Sequence, residues 1–322
     1  MILLTHTDAA RDLYYGARAV AALQALGEVR LNQTGAPLSG DGLIAAAHGV
    51  RVIVADRAVP APAGLFAALP DLDAFCRGAV DIRTVDVPAA TAAGVLVTRA
   101  SPGFVSAVCE LIVGLAVDLS RGVSHAVASY RAGVQLPVRM GRQIAGSTVG
   151  IIGYGAIGRE LARLMQAFGA TVLVTDPYAT DVETVPLAAV LARSDLVVCL
   201  AIANAQTANL MNASAFAAMR PGALFINASR GELVDEAALA DALDRGHLAG
   251  AALDVGRALD QMPSAALARR PDVLATPHIG GLTRAAADHQ ALETVRQVAS
   301  ILAGIVPEGA VNATPGAALP KA

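Results

Sequence analysis

The chain has 322 residues, room for about two domains of ordinary size. Its net charge is −3 with no basic run, which argues against nucleic acid or an anionic membrane surface as a partner. No apolar stretch nears the roughly eighteen residues of a membrane span, because Leu111–Val117 is fenced by Glu110 and Asp118. Met1-Ile2-Leu3-Leu4 lacks a basic flank and soon meets Asp8 and Arg11, so it reads as a first strand rather than a signal peptide. Further strands are expected at Glu28–Leu31, Val52–Ala55, Leu72–Cys76 and Val95–Thr98. Helices are expected over Arg11–Leu26, from Ser39 to His48, and over Val87–Ala93. Short apolar strands that do not alternate, separated by helices, argue for a parallel sheet covered on both faces. Arg57 and Arg99 follow two of these strands, and read either as solvated loop arginines or as contacts for a second anionic group on a substrate.

A long amphipathic helix is expected over Ser106–Ser120, then a glycine-containing loop over residues 131–147. The most informative stretch follows. Val149–Ile152 is a buried-strand run, and Gly153-Tyr154-Gly155-Ala156-Ile157-Gly158 places three glycines at G-x-G-x-x-G spacing. Ile157, Leu161, Leu164, Met165 and Phe168 then recur at helical spacing, and Val172–Val174 makes a second strand. The first glycine permits a tight turn, the second lets the backbone approach a pyrophosphate, and the third lets helix and strand pack closely. The helix N-terminus offers unpaired N–H groups to the phosphates. Asp176 stands eighteen residues after Gly158, where a carboxylate accepts from ribose hydroxyls and repels a 2′-phosphate, favouring NAD over NADP.

Strands at Asp195–Ile202, Ala223–Asn227, Ala249–Val255 and Val273–Thr276 continue the second sheet, linked by helices over Leu187–Ala192, Ala213–Met219 and Glu236–Arg245. A final helix covers Thr283–Ala303, and the Pro/Gly/Ala-rich segment after Pro307 is expected to fray. Cys76, Cys109 and Cys199 are odd in number and set among apolar residues, so they read as buried reduced thiols of a cytoplasmic protein. No Cys/His pair has metal-ligand spacing, and the single lysine, Lys321, leaves no Schiff-base lysine in the core.

Several motifs in order make the chain resemble the NAD-dependent D-isomer-specific 2-hydroxyacid dehydrogenases. They are the nucleotide motif, Asn227-Ala228-Ser229-Arg230-Gly231 with Val234-Asp235, Leu253-Asp254-Val255, and Thr276-Pro277-His278-Ile279-Gly280-Gly281. The resemblance implies an α/β fold of two Rossmann-like or flavodoxin-like domains with parallel sheets. The NAD-binding Rossmann domain, 99–281, would be inserted into a discontinuous substrate domain, 1–98 and 282–322. It implies hydride transfer between NAD and a D-2-hydroxy acid or 2-oxo acid, and a homodimer. Arg230 would grip the substrate carboxylate and polarise the carbonyl, His278 would be the general acid/base, and Asp254 would hold the nicotinamide carboxamide. Ala228 and Ser229 would line the cofactor, and Ala79 and Val80 would present backbone N–H groups to the substrate.

The chain departs from the family in three segments, one of them after the strand at Val197–Leu200, where a histidine and a proline are usual and Ala201-Ile202-Ala203 stands. The glutamate that usually partners the catalytic histidine is replaced by Leu259, with Asp260 one residue along. The glycine-rich substrate loop reads Ala79-Val80-Asp81-Ile82-Arg83-Thr84-Val85-Asp86, without its glycines. An alternative reading is therefore an NAD(H)-binding sensor or scaffold of the same fold with weak or lost catalysis.

Overall fold

A computed structural model describes residues 1–137 and 140–319, except for the side chain of Asp260. The chain forms two compact units, Met1–Phe104 with Leu282–Ala322, and Val105–Gly281. Both are built on parallel sheets.

In the first unit the chain runs β1 (Ile2–Leu4), α1 (Asp8–Ala10), a π turn over Arg11–Tyr15, α2 (Gly16–Gln24), β2 (Val29–Leu31), α3 (Gly40–Ala47) and β3 (Val52–Ala55). It continues through α4 (Ala63–Ala68), β4 (Ala74–Arg77), α5 (Val87–Ala92) and β5 (Leu96–Arg99). The single helix expected over Arg11–Leu26 is interrupted because Gly16 takes φ +80°. A Cβ there would make only ordinary contact, 3.5 Å from Arg284 and Asp288, so the glycine is needed for the bend alone. The strand order is β2-β1-β3-β4-β5, all parallel. Alternate residues of each strand feed opposite faces. Leu3, Ile53, Phe75 and Val97 pack with Leu43, Leu65 and Phe66, whereas Leu4, Val54, Cys76 and Leu96 pack with Tyr15, Ala19 and Leu23. Burial on both faces is why these strands read as continuous apolar runs.

The second unit opens with α6 (Val105–Arg121) and α7 (Val123–Arg131), the latter a helix not foreseen from the sequence. Then come β6 (Thr148–Ile152), α8 (Ala156–Ala167), β7 (Thr171–Thr175), α9 (Leu187–Arg193), β8 (Leu196–Cys199), α10 (Ala213–Ala218) and β9 (Ala223–Asn227). α11 (Glu236–Asp244), β10 (Leu248–Leu253), α12 (Ala265–Ala268) and β11 (Val273–Ala275) complete it. The six-stranded order is β11-β10-β9-β8-β6-β7. The winding reverses between β6 and β8, the topological switch point at whose carboxyl edge such sheets bind ligands. Phe216 and Phe225 meet edge to face at 5.3 Å in the core beneath that edge.

The chain returns to the first unit as α13 (Arg284–Leu302), whose Ala291, Val295, Val298 and Ile301 join the core shared by Leu4 and Val54. Through Leu319 the expectation that the segment after Pro307 frays does not hold, and residues 320–322 lie outside those described. Val311 donates its N–H to Val97 O at 2.9 Å, and Asn312 Oδ1 accepts from Val97 N while its Nδ2 donates to Val95 O, both at 2.9 Å. Gln297 fastens the same segment, donating to Glu308 O at 3.1 Å and to Arg99 O at 2.9 Å. Composition favoured disorder, but one asparagine side chain replaces a strand's missing ladder bonds.

Candidate active site

The site grows from the turn after β6. Gly153 takes φ +99°, and a Cβ there would lie 2.7 Å from the backbone of Leu200 and Ala201. At Gly158 a Cβ would meet Gly153 O at 2.3 Å, so helix α8 is packed onto the turn through a missing side chain. At Gly155 a Cβ would meet nothing within 4 Å, which leaves the backbone open to a ligand. Gly155 is the N-cap of α8 and makes no side-chain capping bond, so the first amides of the helix, from Ala156 and Ile157, face the same space. Asp176, half-buried, accepts from Tyr154 N at 2.6 Å and from Tyr178 N at 2.8 Å. Its carboxylate is therefore held against the glycine turn. This arrangement fits the adenosine and pyrophosphate portions of a dinucleotide.

Three loops at the carboxyl ends of β8, β9 and β10 border this turn on the sheet. After β9, Asn227 Nδ2 donates to Arg230 O at 2.9 Å and Ser229 N donates to Asn227 Oδ1 at 3.2 Å, which closes the Ala228–Ser229 turn. Ser229 Oγ donates to Ala201 O at 2.6 Å, tying that turn to the end of β8. Arg230 donates from Nη1 to Ser229 O at 2.7 Å. After β10, Asp254 is only 2 % exposed. Its Oδ1 accepts from Thr276 Oγ1 at 2.7 Å and Ile279 N at 2.8 Å, and its Oδ2 accepts from Gly280 N at 2.8 Å. The carboxylate thus clamps the loop that carries His278, a role the sequence did not reveal. His278 is half-buried and has φ +55°, one of three non-glycine residues in the left-handed region among those described.

Leu259 begins a 3-10 turn, Leu259–Gln261, and is 87 % exposed, so its side chain stands in solvent rather than in a core. The side chain of Asp260 lies outside the described residues. Ala79 and Val80 belong to the other unit, in the loop after β4, where Ala79 O accepts from Ala100 N at 3.2 Å. That loop is braced by Arg77, fully buried, whose Nη2 donates to Val59 O at 2.8 Å and Thr84 Oγ1 at 3.0 Å. Burial lowers the Arg77 guanidinium to about 10, against the pull of Asp56 and Asp81. Beside it His6, at the end of β1, is pushed down to about 4 by burial, against Asp56 Oδ2 at 3.6 Å. Arg57 is exposed with its guanidinium 5.9 Å from the Tyr14 ring centre, and Arg99 is exposed at the end of β5. The three thiols are buried, and burial pushes each up to about 12, so none is a nucleophile at neutral pH. Among the described residues no group of three or more His, Cys, Asp and Glu could hold a metal ion, and no helix is long and apolar enough to cross a membrane.

At the opposite edge of the same sheet, Arg121, Arg142 and Arg220 line a cavity of about 750 Å³. Arg142 donates to Gly222 O at 2.7 Å and Arg220 pairs with Asp195, while Arg121 ends α6. These cations complement carbonyls and helix ends and lie away from the glycine turn.

Comparison with known proteins bears directly on this geometry. The model of the "D-isomer specific 2-hydroxyacid dehydrogenase, NAD binding domain" family matches residues 113–280. The D-3-phosphoglycerate dehydrogenase of Mycobacterium tuberculosis is 36 % identical over 280 residues, covering 84 % of this chain and 53 % of the relative. The chain thus spans about half the length of the curated relatives it matches. Among solved structures, a protein from Thermus thermophilus superposes with TM-score 0.85 at 28 % identity over 96 % of this chain and 99 % of the other. A glyoxylate reductase from Paecilomyes thermophila does so with TM-score 0.80 at 25 % identity over 94 % of each chain. The family match covers the glycine turn, the Arg230 turn and the His278 loop together, and the chain belongs to the D-isomer specific 2-hydroxyacid dehydrogenase family.

Proposed function

We propose that the chain is an NAD-dependent oxidoreductase that interconverts a 2-oxo acid and a D-2-hydroxy acid. One observation carries this reading: the uncapped glycine turn with Asp176 bound to it, and the loops bearing Arg230 and His278, all stand at the carboxyl edge of one parallel sheet. Bound NADH supplies the hydride for the carbonyl carbon. Arg230 binds the substrate carboxylate and the carbonyl oxygen through its planar fork, drawing charge toward that oxygen as it develops. His278 delivers a proton to the same oxygen in reduction and takes it back in oxidation. Asp254 keeps the histidine loop in register, and Asn227 keeps the arginine turn in register.

The homodimer belongs to the same reading. Val123, Val127, Tyr130 and Val134 recur at helical spacing on and just beyond α7, and Tyr130 is 74 % exposed, an apolar stripe suited to a second copy. Three inert buried thiols suit a cytoplasmic protein. Steady-state oxidation of NADH with pyruvate, hydroxypyruvate, 2-oxoglutarate and 3-phosphohydroxypyruvate tests the function. The last is included because the mycobacterial relative is named for a phosphorylated hydroxy acid. Turnover of at least one acid is expected. NADH binding without turnover of any would replace this reading with a sensor or scaffold.

A further inference from the structure

Arg257 occupies a position to which the family's motif assigns no role, yet in this chain it ties three loops of the site together. From the loop after β10 its Nε donates to Val234 O at 3.0 Å and its Nη2 to Glu232 O at 3.0 Å. The same Nη2 reaches Asn209 Oδ1 in the loop after β8, and Asn209 N in turn donates to Glu232 O at 2.8 Å. The Arg257 amide donates to Glu236 Oε1 at 3.1 Å. Gln261 adds a strap, donating from Nε2 to Glu232 Oε1 at 3.1 Å while its carbonyl accepts from Gly256 N at 2.8 Å. The segment so bound, Gly231–Glu236, is the continuation of Arg230.

The knot is held under backbone strain. Asn209 and Gln261 have φ +52° and +60°, so two of the three left-handed non-glycine residues described lie in it. Glu232 Oε2 and Gln261 Oε1 are buried without a hydrogen-bond donor. Directly after Arg230, Gly231 is pressed so closely onto Gly256 that a Cβ would lie 2.1 Å from its carbonyl. Arg230 is thus fixed upstream by Asn227 and downstream by a segment held by the Arg257 knot together with Met211, whose N–H donates to Leu233 O at 2.9 Å and whose carbonyl accepts from Asp235 N at 3.0 Å. Strain concentrated around one arginine, held by bonds from another, is how a fold presets a side chain for a ligand.

We infer that Arg257 is a positioning residue that fixes the direction of the Arg230 guanidinium toward the substrate carboxylate. The inference rests on the role proposed above for Arg230. Lysine at position 257 would keep the charge but could not donate in three directions from a planar fork.

The test measures the affinity of oxamate, a 2-oxo acid isostere, for the protein saturated with NADH, together with kcat and KM for the best 2-oxo acid. Arg257→Met should weaken oxamate binding and lower kcat/KM by about 10- to 100-fold, with NADH affinity within about twofold. Arg257→Lys should fall between, and added guanidinium should restore part of the activity of Arg257→Gly. A purely structural arginine would lower Tm and leave oxamate affinity unchanged well below it. Wild-type oxamate affinity and kcat/KM in Arg257→Met, or in Arg257→Lys if the first does not fold, overturn the inference. Arg230→Met run in parallel separates the two readings. If it loses oxamate binding while Arg257→Met does not, only the positioning role fails. If it too behaves as wild type, the role of Arg230 fails and takes the inference with it.

Discussion

Asp254 accepts three hydrogen bonds from the His278 loop, and Asp254→Asn tests what that clamp is worth. The substitution keeps the shape but turns one oxygen into an NH₂ group. If the nitrogen faces Gly280, its hydrogens confront an N–H at 2.8 Å. If it faces the other way, Thr276 can rotate to accept, but Ile279 N–H, at 2.8 Å, loses its acceptor. In either orientation one backbone donor at a site 2 % exposed is stranded, at about 1–3 kcal/mol. The surviving bonds also lose charge assistance, for about 1 kcal/mol more together. A loss of about 2–4 kcal/mol follows, or a Tm drop of roughly 5–12 °C for a unit of this size. His278 at φ +55° would be freed to relax, so kcat should fall as well. Urea unfolding, Tm and NADH fluorescence titration of wild type and variant check this. Unchanged Tm and kcat with weakened NADH binding would refute the clamp and leave Asp254 to the nicotinamide carboxamide alone.

NADH should outperform NADPH in kcat/KM by at least about fivefold, because Asp176 repels a 2′-phosphate by about 1 kcal/mol or more, and Asp176→Asn should narrow the gap. Equal use of both cofactors by wild type would sink this. If Arg57 or Arg99 meets a second anionic group, 3-phosphohydroxypyruvate or a dicarboxylate should exceed pyruvate, and Arg57→Ala or Arg99→Ala should erase the preference; unaltered substrate ratios would return both to the solvated class. His6 is neutral in the folded chain because burial depresses it to about 4 from 6.5. The unfolded chain therefore binds the extra proton first as pH falls, and stability should decline from about pH 6.5 to 4, by up to about 3 kcal/mol. His6→Gln should flatten that decline in urea titrations, and an identical pH dependence would show that other groups cause it.

The second sheet was legible because each strand is a short apolar run, and because Gly153 and Gly158 have steric tasks in the turn while Gly155 leaves it open. Their substitution costs, from φ +99° at Gly153 to the 2.3 Å contact at Gly158, are properties of the local turn that spacing alone encodes. α7 was missed although Val123, Val127 and Tyr130 repeat at helical spacing, because the repeat spans only two turns among serine, histidine and β-branched residues and no side chain of the helix is buried. The Asp254 clamp and the Arg257 knot were hidden for another reason. Both join residues more than twenty positions apart through side-chain-to-backbone bonds, which leave no periodic trace. Leu259 stands at the motif position where the family's glutamate is expected, and its side chain is 87 % exposed, a placement that positional matching alone did not indicate.

The bond from Val311 to Val97 joins segments separated by more than two hundred residues, with the whole Val105–Gly281 unit synthesised between them. As the chain leaves the ribosome, the first five strands emerge without α13 on one face and without Asn312 along the edge of β5. The intervening unit carries all its own strands and can fold first, and in doing so it shortens the effective loop that must close. Until residues 284–312 arrive, the nascent first sheet has an open edge, the part of the molecule most prone to pair with a neighbouring chain. Completion of that sheet therefore waits on residues that follow the whole Val105–Gly281 unit.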